Sequence, residues 1–314
     1  MHTSVDIVIP TYKPDDKILK ILDMLGKQTV KPNKLIIINT EEKFFEKYLP
    51  YFNASNSSFE IEIHNISMEE FDHGKTRNDG AKYSKAEIVM FMTQDAVPLD
   101  EYLIEELIKP IENNIVKASY ARQMPDENSS LAECFTRSFN YPDEEKIKSK
   151  DDIKTLGIKT FFCSDVCAAY DKKIFTELGG FVNQTIFNED MIYARKLIDN
   201  GYKISYSAKA KVIHTHEYTC MQQFRRNFDN AVSHRMYEDV FNDVSSESEG
   251  IKLIKKAFGF FIKNKKPYLI IPFGINCVYR YIGFKQGLKY DKLSKKTVLR
   301  CTSNKMFFEK MWRK

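Results

Sequence analysis

The sequence has no glycine-rich phosphate loop. Where its first apolar segment ends the residues are Pro10-Thr11-Tyr12-Lys13-Pro14, and neither G-x-G-x-x-G nor the lysine-bearing P-loop pattern follows. The backbone cradle that dinucleotide oxidoreductases and P-loop enzymes build at that turn is missing, which argues against both classes. Long apolar runs are also missing. The best candidate for a bilayer span is broken at Pro267 and Pro272. Met1-His2-Thr3-Ser4 leads straight into an apolar segment, leaving no room for a secretory leader, so a cytosolic location is expected. The six cysteines are scattered without paired spacing, as suits reduced thiols. Cys163 and Cys167 have the spacing to share a helix face, but no second pair accompanies them and no zinc site is expected.

What is present is an ordinary globular composition, 43% hydrophobic and 29% charged over 314 residues, which removes disordered and fibrous classes. The length gives room for one large α/β domain with a smaller appendage, or for two modest domains. The net charge of +5 conceals an asymmetry. From Ile251 to Lys314 there are 17 Lys and Arg against Asp291 and Glu309, a net +15, which leaves residues 1–250 with 31 cations against 41 carboxylates, a net −10. A basic, aromatic tail on an acidic body suits a polyanionic partner, anionic lipid or nucleic acid, while the bland account is a solvated charged helix face.

The hydrophobic pattern begins with a strand at Val5–Pro10. A helix follows over Asp15–Gly26, with Ile18, Ile21, Leu22 and Leu25 on one face, and a second strand over Lys34–Asn39. Strand, helix, strand in forty residues predicts parallel pairing through a right-handed crossover. Further strands are expected at Phe59–His64 and Ile88–Met92, with helices at Lys75–Ser84 and Glu101–Lys109, making the first hundred residues a nucleotide-binding half-fold. Tyr120–Gly157 reads as an inserted mobile loop region, carrying Pro125, Pro142 and a charge run at Asp143–Asp152. Helices are expected at Lys172–Leu178, stopped by Gly179-Gly180, and at Glu189–Asn200, closed by Gly201. Short strands follow near Lys203–Tyr206 and Lys211–His214. Beyond Cys220 the chain turns helical and basic, with Asp243–Gly250 as the candidate linker.

Three places could carry chemistry. The buried run Ile88–Met92 delivers Asp95 to the carboxyl end of a strand, just before Pro98. Asp95 is there either a metal or nucleotide ligand or a turn-forming residue. His214 and His216 end another strand and are the best-placed imidazoles, though a lone histidine is usually structural. Asn188-Glu189-Asp190 opens a helix, whose dipole favours a carboxylate there and would keep a general base ionised.

Val5-Asp6-Ile7-Val8-Ile9-Pro10-Thr11-Tyr12, Phe71-Asp72-His73-Gly74-Lys75-Thr76-Arg77-Asn78, Thr93-Gln94-Asp95-Ala96-Val97-Pro98 and Asn188-Glu189-Asp190 stand in the order seen in family 2 glycosyltransferases of the GT-A fold. The middle two resemble the bacterial rhamnosyltransferase branch, and the match covers roughly residues 4 to 235. Tyr281-Ile282-Gly283-Phe284-Lys285-Gln286-Gly287 and the aromatic stretch to Trp312 resemble that branch less specifically.

The resemblance implies a GT-A, Rossmann-like, mostly parallel α/β sheet flanked by helices, over residues 1–242, with a helical basic appendage over 251–314. It implies a nucleotide-sugar donor, a divalent metal (Mg or Mn) and inversion at the anomeric carbon. Pro10, Thr11, Tyr12, Thr40, Arg77, Asn78, Gln94 and Asp95 would line the donor site, with Glu41 beside Thr40 near the base. Asp95 matches the last Asp of the metal-binding D-x-D, His214 a metal-completing histidine with His216 as its alternative, and Asp190 the catalytic base with Glu189 beside it. Two departures stand out. Thr93 occupies the first D-x-D position, and Asn39-Thr40-Glu41-Glu42 replaces the Asp-rich turn of many relatives.

The chemistry fits these residue types, since expelling a nucleoside diphosphate needs charge stabilisation at the phosphates and deprotonation of an acceptor hydroxyl on the opposite face. The resemblance points to a metal-dependent hexosyltransferase moving L-rhamnose from dTDP-β-L-rhamnose to a lipid-linked cell-surface polysaccharide precursor. The acceptor pocket is expected around Tyr120–Lys159 and Phe161–Asp165. The tail, with Phe258, Phe260, Phe261, Tyr268, Phe273, Tyr279, Tyr281 and Phe284, would rest peripherally on the inner face of the cell membrane, or pack as a helical core or dimer contact. Transfer of another hexose or of a galactofuranose-like sugar, and an idle nucleotide-binding scaffold at the membrane, stay open as alternatives. Nucleic-acid binding is not expected, because the basic residues follow no groove-reading motif.

Overall fold

Val5–Tyr12 has Val5, Ile7, Val8 and Ile9 buried on both faces, as a central parallel strand must. It is β1 of a computed structural model that describes residues 3–54, 58–242 and 247–313. The other strands are β2 (Lys34–Thr40), β3 (Glu60–Ile66), β4 (Ile88–Met92), β5 (Val97–Pro98), β6 (Ala118–Met124), β7 (Lys146–Lys148), β8 (Cys167–Asp171) and β9 (Ile204–Ile213). Helices up to the base of the sheet's last strand are α1 (Lys17–Lys27), α2 (Leu49–Ala54), α3 (His73–Tyr83), α4 (Leu103–Glu112), α5 (Leu131–Asn140), α6 (Ile153–Leu156), α7 (Lys172–Glu177) and α8 (Glu189–Asp199). After β9 come α9 (Cys220–Met236), α10 (Glu238–Phe241), α11 (Glu247–Lys263), α12 (Ile270–Gly287), α13 (Lys295–Cys301) and α14 (Lys305–Arg313).

The chain divides into two units. The first is Met1–Glu127, Asn140–Gln184 and Glu189–Thr215, and the second is Asn128–Phe139, Thr185–Asn188 and His216–Lys314. All nine described strands lie in the first unit, in one sheet ordered β3-β2-β1-β4-β8-β6-β9-β5, with β7 on β9. Pairing is parallel through β3, β2, β1 and β4 and again between β6 and β9, and antiparallel where β8 joins β4 and β6. Ile18, Ile21 and Leu25 of α1 and Leu103, Leu107 and Ile108 of α4 pack on Val5, Ile7 and Met90 in one core. Each such side chain contributes roughly 1.5–3 kcal/mol by leaving water. Strand order reverses on either side of β1, so its carboxyl end and that of β4 form the crevice where such sheets hold ligands.

Two sequence expectations are corrected here. Tyr120–Gly157 is not one loop region: it contains β6, α5, β7 and α6. β6 escapes the hydrophobic pattern because its sequence is Ala-Ser-Tyr-Ala-Arg-Gln-Met, whose Ser119 and Gln123 are buried through hydrogen bonds rather than apolar contact. The strands expected near Lys203–Tyr206 and Lys211–His214 are the single strand β9, interrupted in pairing by a register shift opposite Ala121 and Arg122. Of the expected linker, residues 243–246 lie outside the described residues, and Gly250 is already in α11.

In the second unit α12 lies against α9. A Cβ at position 283 would overlap the Phe224 carbonyl oxygen, and one at 287 the Phe228 carbonyl oxygen, so Gly283 and Gly287 permit backbone approach. Phe228, Val232, Val298 and Phe308 form one core cluster, and Phe135, Ala257, Phe261 and Phe273 another. Phe260, Phe261 and Phe273 of the basic tail therefore pack inward around Phe135, with ring centroids 5.1, 6.0 and 5.8 Å from it. No described helix is long and apolar enough to cross a membrane.

Candidate active site

The segment from Phe71 to Asn78 builds a joint in the first unit. Asp72 caps α3, accepting from the Lys75 backbone N–H at 2.9 Å, and its other oxygen accepts from the Gln184 N–H at 2.9 Å. Gly74 meets the 182 backbone so closely that any Cβ would overlap the Val182 carbonyl oxygen. Asn78 brackets Phe181 with both ends of its amide, donating to the carbonyl at 2.8 Å and accepting from the N–H at 2.9 Å. Three residues of a motif that reads as ligand-binding thus fasten α3 to the segment leading toward α8.

Arg77 lies in the same joint, buried. Its Nη1 is 3.1 Å from Glu189 Oε1 and donates to the His73 carbonyl at 3.0 Å, and its Nε is 3.5 Å from Asp165 Oδ2. Asp165, buried as well, accepts from the Tyr170 hydroxyl at 2.7 Å, while its own backbone N–H donates to Asp190 Oδ2 at 3.2 Å. Asp190 Oδ1 accepts from the Met191 N–H at 2.7 Å, which leaves the carboxylate half-buried at the start of α8. One guanidinium therefore faces three carboxylates. Burial and the neighbouring Glu189 push Asp190 up to about 7. Burial also holds Asp165 well above the usual carboxylate range, opposed by Arg77. The Asp190 shift runs against the expectation that the helix dipole keeps this carboxylate ionised, because burial and Glu189 outweigh it.

A second cluster forms at the carboxyl ends of β4, β6 and β9. Asp95 Oδ1 is 3.5 Å from His214 Nε2, and His214 Nδ1 is 2.8 Å from Gln123 Oε1. With a carbonyl oxygen as its partner, Nδ1 carries the proton, so the Nε2 lone pair lies on the Asp95 side. Gln123 is itself fixed, its Nε2 donating to the Tyr141 hydroxyl at 2.5 Å and to Ser164 Oγ at 3.0 Å. A carboxylate oxygen facing an imidazole lone pair is a site for a cation. Thr93, at the first position of the same turn, adds a buried hydroxyl with no hydrogen-bond partner. Oxygen and imidazole donors of this kind suit Mg or Mn, completed by phosphate oxygens. His216 belongs to the second unit, where its ring stacks on Tyr218 at 5.2 Å.

The remaining expected donor residues gather at the ends of β1 and β2. Pro10 pairs with Ile38, and Thr11 is buried with its hydroxyl donating to Asn39 Oδ1 at 3.1 Å. Gln94 clamps the Tyr12 backbone, donating to its carbonyl at 3.0 Å and accepting from its N–H at 2.8 Å, which ties the D-x-D turn to β1. The Tyr12 ring is exposed and meets Phe44 edge-on at 5.5 Å, with Lys13 Nζ 4.9 Å from the Phe44 ring centre. Thr40 ends β2 with a buried hydroxyl that has no partner, and Glu41, at φ 66°, accepts from the Met68 N–H at 2.7 Å. Phe44 and Tyr170 have no expected role, and Gln123 and Asp165 lie in the segments expected to line the acceptor pocket, where no single residue is assigned. Only Phe44, close behind the Thr40-Glu41 turn, carried a local signal.

Three comparisons bear on this geometry. Residues 6–179 match the family model described as Glycosyl transferase family 2. The O-antigen chain rhamnosyltransferase RfbN of Salmonella typhimurium is 35% identical over 291 residues, covering 92% of this chain and 91% of that protein. WbaN of Salmonella anatum, also an O-antigen chain rhamnosyltransferase, is 35% identical over 293 residues with the same coverage. Among solved structures, the mannosyltransferase PcManGT from Pyrobaculum calidifontis, in complex with GDP-Man and Mn2+, superposes with TM-score 0.60 at 13% identity over 100% of this chain and 85% of that one. S. aureus TarS with UDP-GlcNAc superposes with TM-score 0.52 at 13% identity, over 92% and 91% of the two chains. At such identity the two structures speak for the GT-A fold alone.

Proposed function

Since this chain belongs to glycosyl transferase family 2, and is on that account a glycosyltransferase, we propose that it is an inverting, metal-dependent rhamnosyltransferase acting on a lipid-linked precursor of O-antigen polysaccharide. The donor is dTDP-β-L-rhamnose and the product an α-L-rhamnoside. The observation that carries the mechanism is the Asp190 carboxylate, half-buried at the start of α8 and tethered to the Asp165 backbone. The acceptor hydroxyl oxygen attacks the anomeric carbon while its proton passes to an Asp190 oxygen. The bond from that carbon to the diphosphate breaks, and its electron pair leaves with the diphosphate. A single displacement of this kind inverts the centre and forms no covalent sugar intermediate.

The residues of the sheet's carboxyl edge divide the other tasks. Tyr12 and Phe44 offer an aromatic edge for the nucleoside, and the Thr40 hydroxyl is available to it. Arg77 and Asn78 act through the joint they form rather than through an exposed donor group. Asp95 and His214 would hold the divalent ion, which supplies Lewis-acid stabilisation of the leaving diphosphate when bound. Glu189 keeps Arg77 in place and raises Asp190. The lipid-linked acceptor places the enzyme at the cytoplasmic face of the membrane, peripherally attached.

A panel of nucleotide sugars incubated with the enzyme and Mg or Mn tests the donor. Release of nucleoside diphosphate should be fastest from dTDP-rhamnose. Preference for a UDP- or GDP-hexose would refute the rhamnose assignment, and no release from any donor would refute catalysis itself.

A further inference from the structure

Helices α11 and α12 each turn one apolar stripe inward and another outward. On α11 the inward stripe is Leu253, Ala257 and Phe261, and the outward one Ile251, Ile254, Phe258 and Ile262. On α12 Phe273, Gly283 and Gly287 are buried, while Ile271, Ile275, Val278 and Ile282 stand on the opposite side at intervals of four, three and four residues. These are not marginal exposures, for Ile262 is 61% exposed and Ile271 72%. Tyr279 and Tyr281 flank the α12 stripe and are exposed too, as is Tyr268 just before it. The two helices are held in place from beneath, Phe261 packing on Phe273 at 5.5 Å between ring centres and α12 seated on α9 through its glycines. A row of branched aliphatic side chains facing outward from a rigid seat is an unpartnered surface.

Charge decides the partner. From Gly250 to Gly287 there are eight Lys and Arg and no Asp or Glu. Lys263, Lys265 and Lys266 crowd the turn that joins the helices, all exposed. Two copies of this surface would bring like charges together. An anionic bilayer instead accepts the aliphatic row among its acyl chains, the tyrosines at headgroup level and the lysines on its phosphates. No described helix can cross a membrane, so such a surface lies along the interface.

We infer that the outward stripe of α12, continued by Ile262 and the lysine turn of α11, is a docking surface for an anionic lipid bilayer. This deepens the membrane part of the function proposed above. It also corrects the expected contact set, in which Phe261 and Phe273 are core residues, Phe260 packs against them, and the aliphatic row takes their place.

The test is cosedimentation of the full chain with vesicles of phosphatidylcholine alone or mixed with phosphatidylglycerol. Binding is expected to the mixed vesicles and to weaken with added salt. The double variant Ile271→Ser/Ile275→Ser, whose exposed positions leave the fold intact, should bind the mixed vesicles at least tenfold less, about the effect of withdrawing one buried aliphatic side chain. Circular dichroism checks the fold, and dTDP-rhamnose hydrolysis in the absence of vesicles should be unchanged, which separates docking from the transfer reading. The inference is overturned if the wild type ignores the mixed vesicles, or if the variant binds them equally well. It is overturned equally if the wild type is a dimer in solution that the variant converts to monomer, which would assign the stripe to a second copy.

Discussion

Replacing Arg77 by Met keeps most of the side-chain volume and removes the guanidinium that faces Glu189, Asp165 and Asp190. The guanidinium is 3.1 Å from Glu189 and 3.5 Å from Asp165, all three groups being buried. Breaking a buried pair by deleting one partner leaves an uncompensated charge and costs about 3–5 kcal/mol. Against a typical total of about 5–15 kcal/mol this should shift the unfolding of the first unit to markedly lower urea. The loss should depend on pH in a stated direction. Asp190 titrates at about 7 in the fold, above its unfolded value, so its stabilising protonation is complete below the unfolded pKa and is lost as pH rises through 7. Without Arg77 the cluster binds protons still more tightly, and the deficit should be small near pH 5.5 and largest near pH 8.5, bracketing that value. Urea titrations followed by far-ultraviolet circular dichroism at the two pH values measure it. The single tryptophan, Trp312, lies in the second unit, so its fluorescence serves as an internal control that should move less. A loss below about 1 kcal/mol at the higher pH, or one independent of pH, would show that the guanidinium is not the counter-charge the distances imply.

Four further outcomes are expected. With Asp190 as base, transfer should rise with pH through about 7, and Glu189→Gln, by removing a neighbouring negative charge, should move that rise to lower pH; a pH–rate profile with an unmoved or higher limb contradicts the assignment. Asp190→Asn should leave donor binding intact and abolish transfer. Gln123→Leu removes the acceptor that fixes His214, so Mn2+ affinity measured by calorimetry should fall roughly 10–100-fold, and an unchanged affinity would free His214 from the metal site. Gly283→Ala forces α12 away from α9 and should destabilise the second unit by about 1–3 kcal/mol by Trp312 fluorescence, an unchanged midpoint showing that the helices have room to spare.

The parts of the fold that announce themselves in the sequence are those stabilised by apolar periodicity. β1, β2, β4 and α1 are of this kind, since Val5, Ile7, Val8 and Ile9, Leu35–Ile38, Ile88–Met92 and the Ile18-Ile21-Leu25 face are buried hydrophobic residues at strand or helix spacing. β6 is buried by hydrogen bonds between polar side chains, as in Ser119 with Ser207, and leaves no such trace. At the candidate site, Asp95 and Asp190 stand out in the sequence because short motifs carry them, and His214 because it ends a strand. Gln123 does not, because its partner is 91 residues away and the two meet only when β6 pairs with β9. Arg77 shows the opposite limit. Its motif was visible in the sequence, but the three carboxylates it would face are spread from position 165 to 190, and only the fold brings them to one guanidinium.

The position of β9 has a consequence for the order of events during synthesis. It is the last strand to be made, yet it lies inside the sheet, between β6 and β5, with β7 also resting on it. A nascent chain that ends before Ile204 has six strands, β3, β2, β1, β4, β8 and β6, able to pair, while β6 keeps one edge open and β5 and β7 have nothing to join. The Glu189–Asp199 helix is made just before β9 and His214 just after it, so His214 meets Asp95 and Gln123 only once β9 has joined β6. Until then the open edge of β6 is the part of the molecule most exposed to wrong pairing.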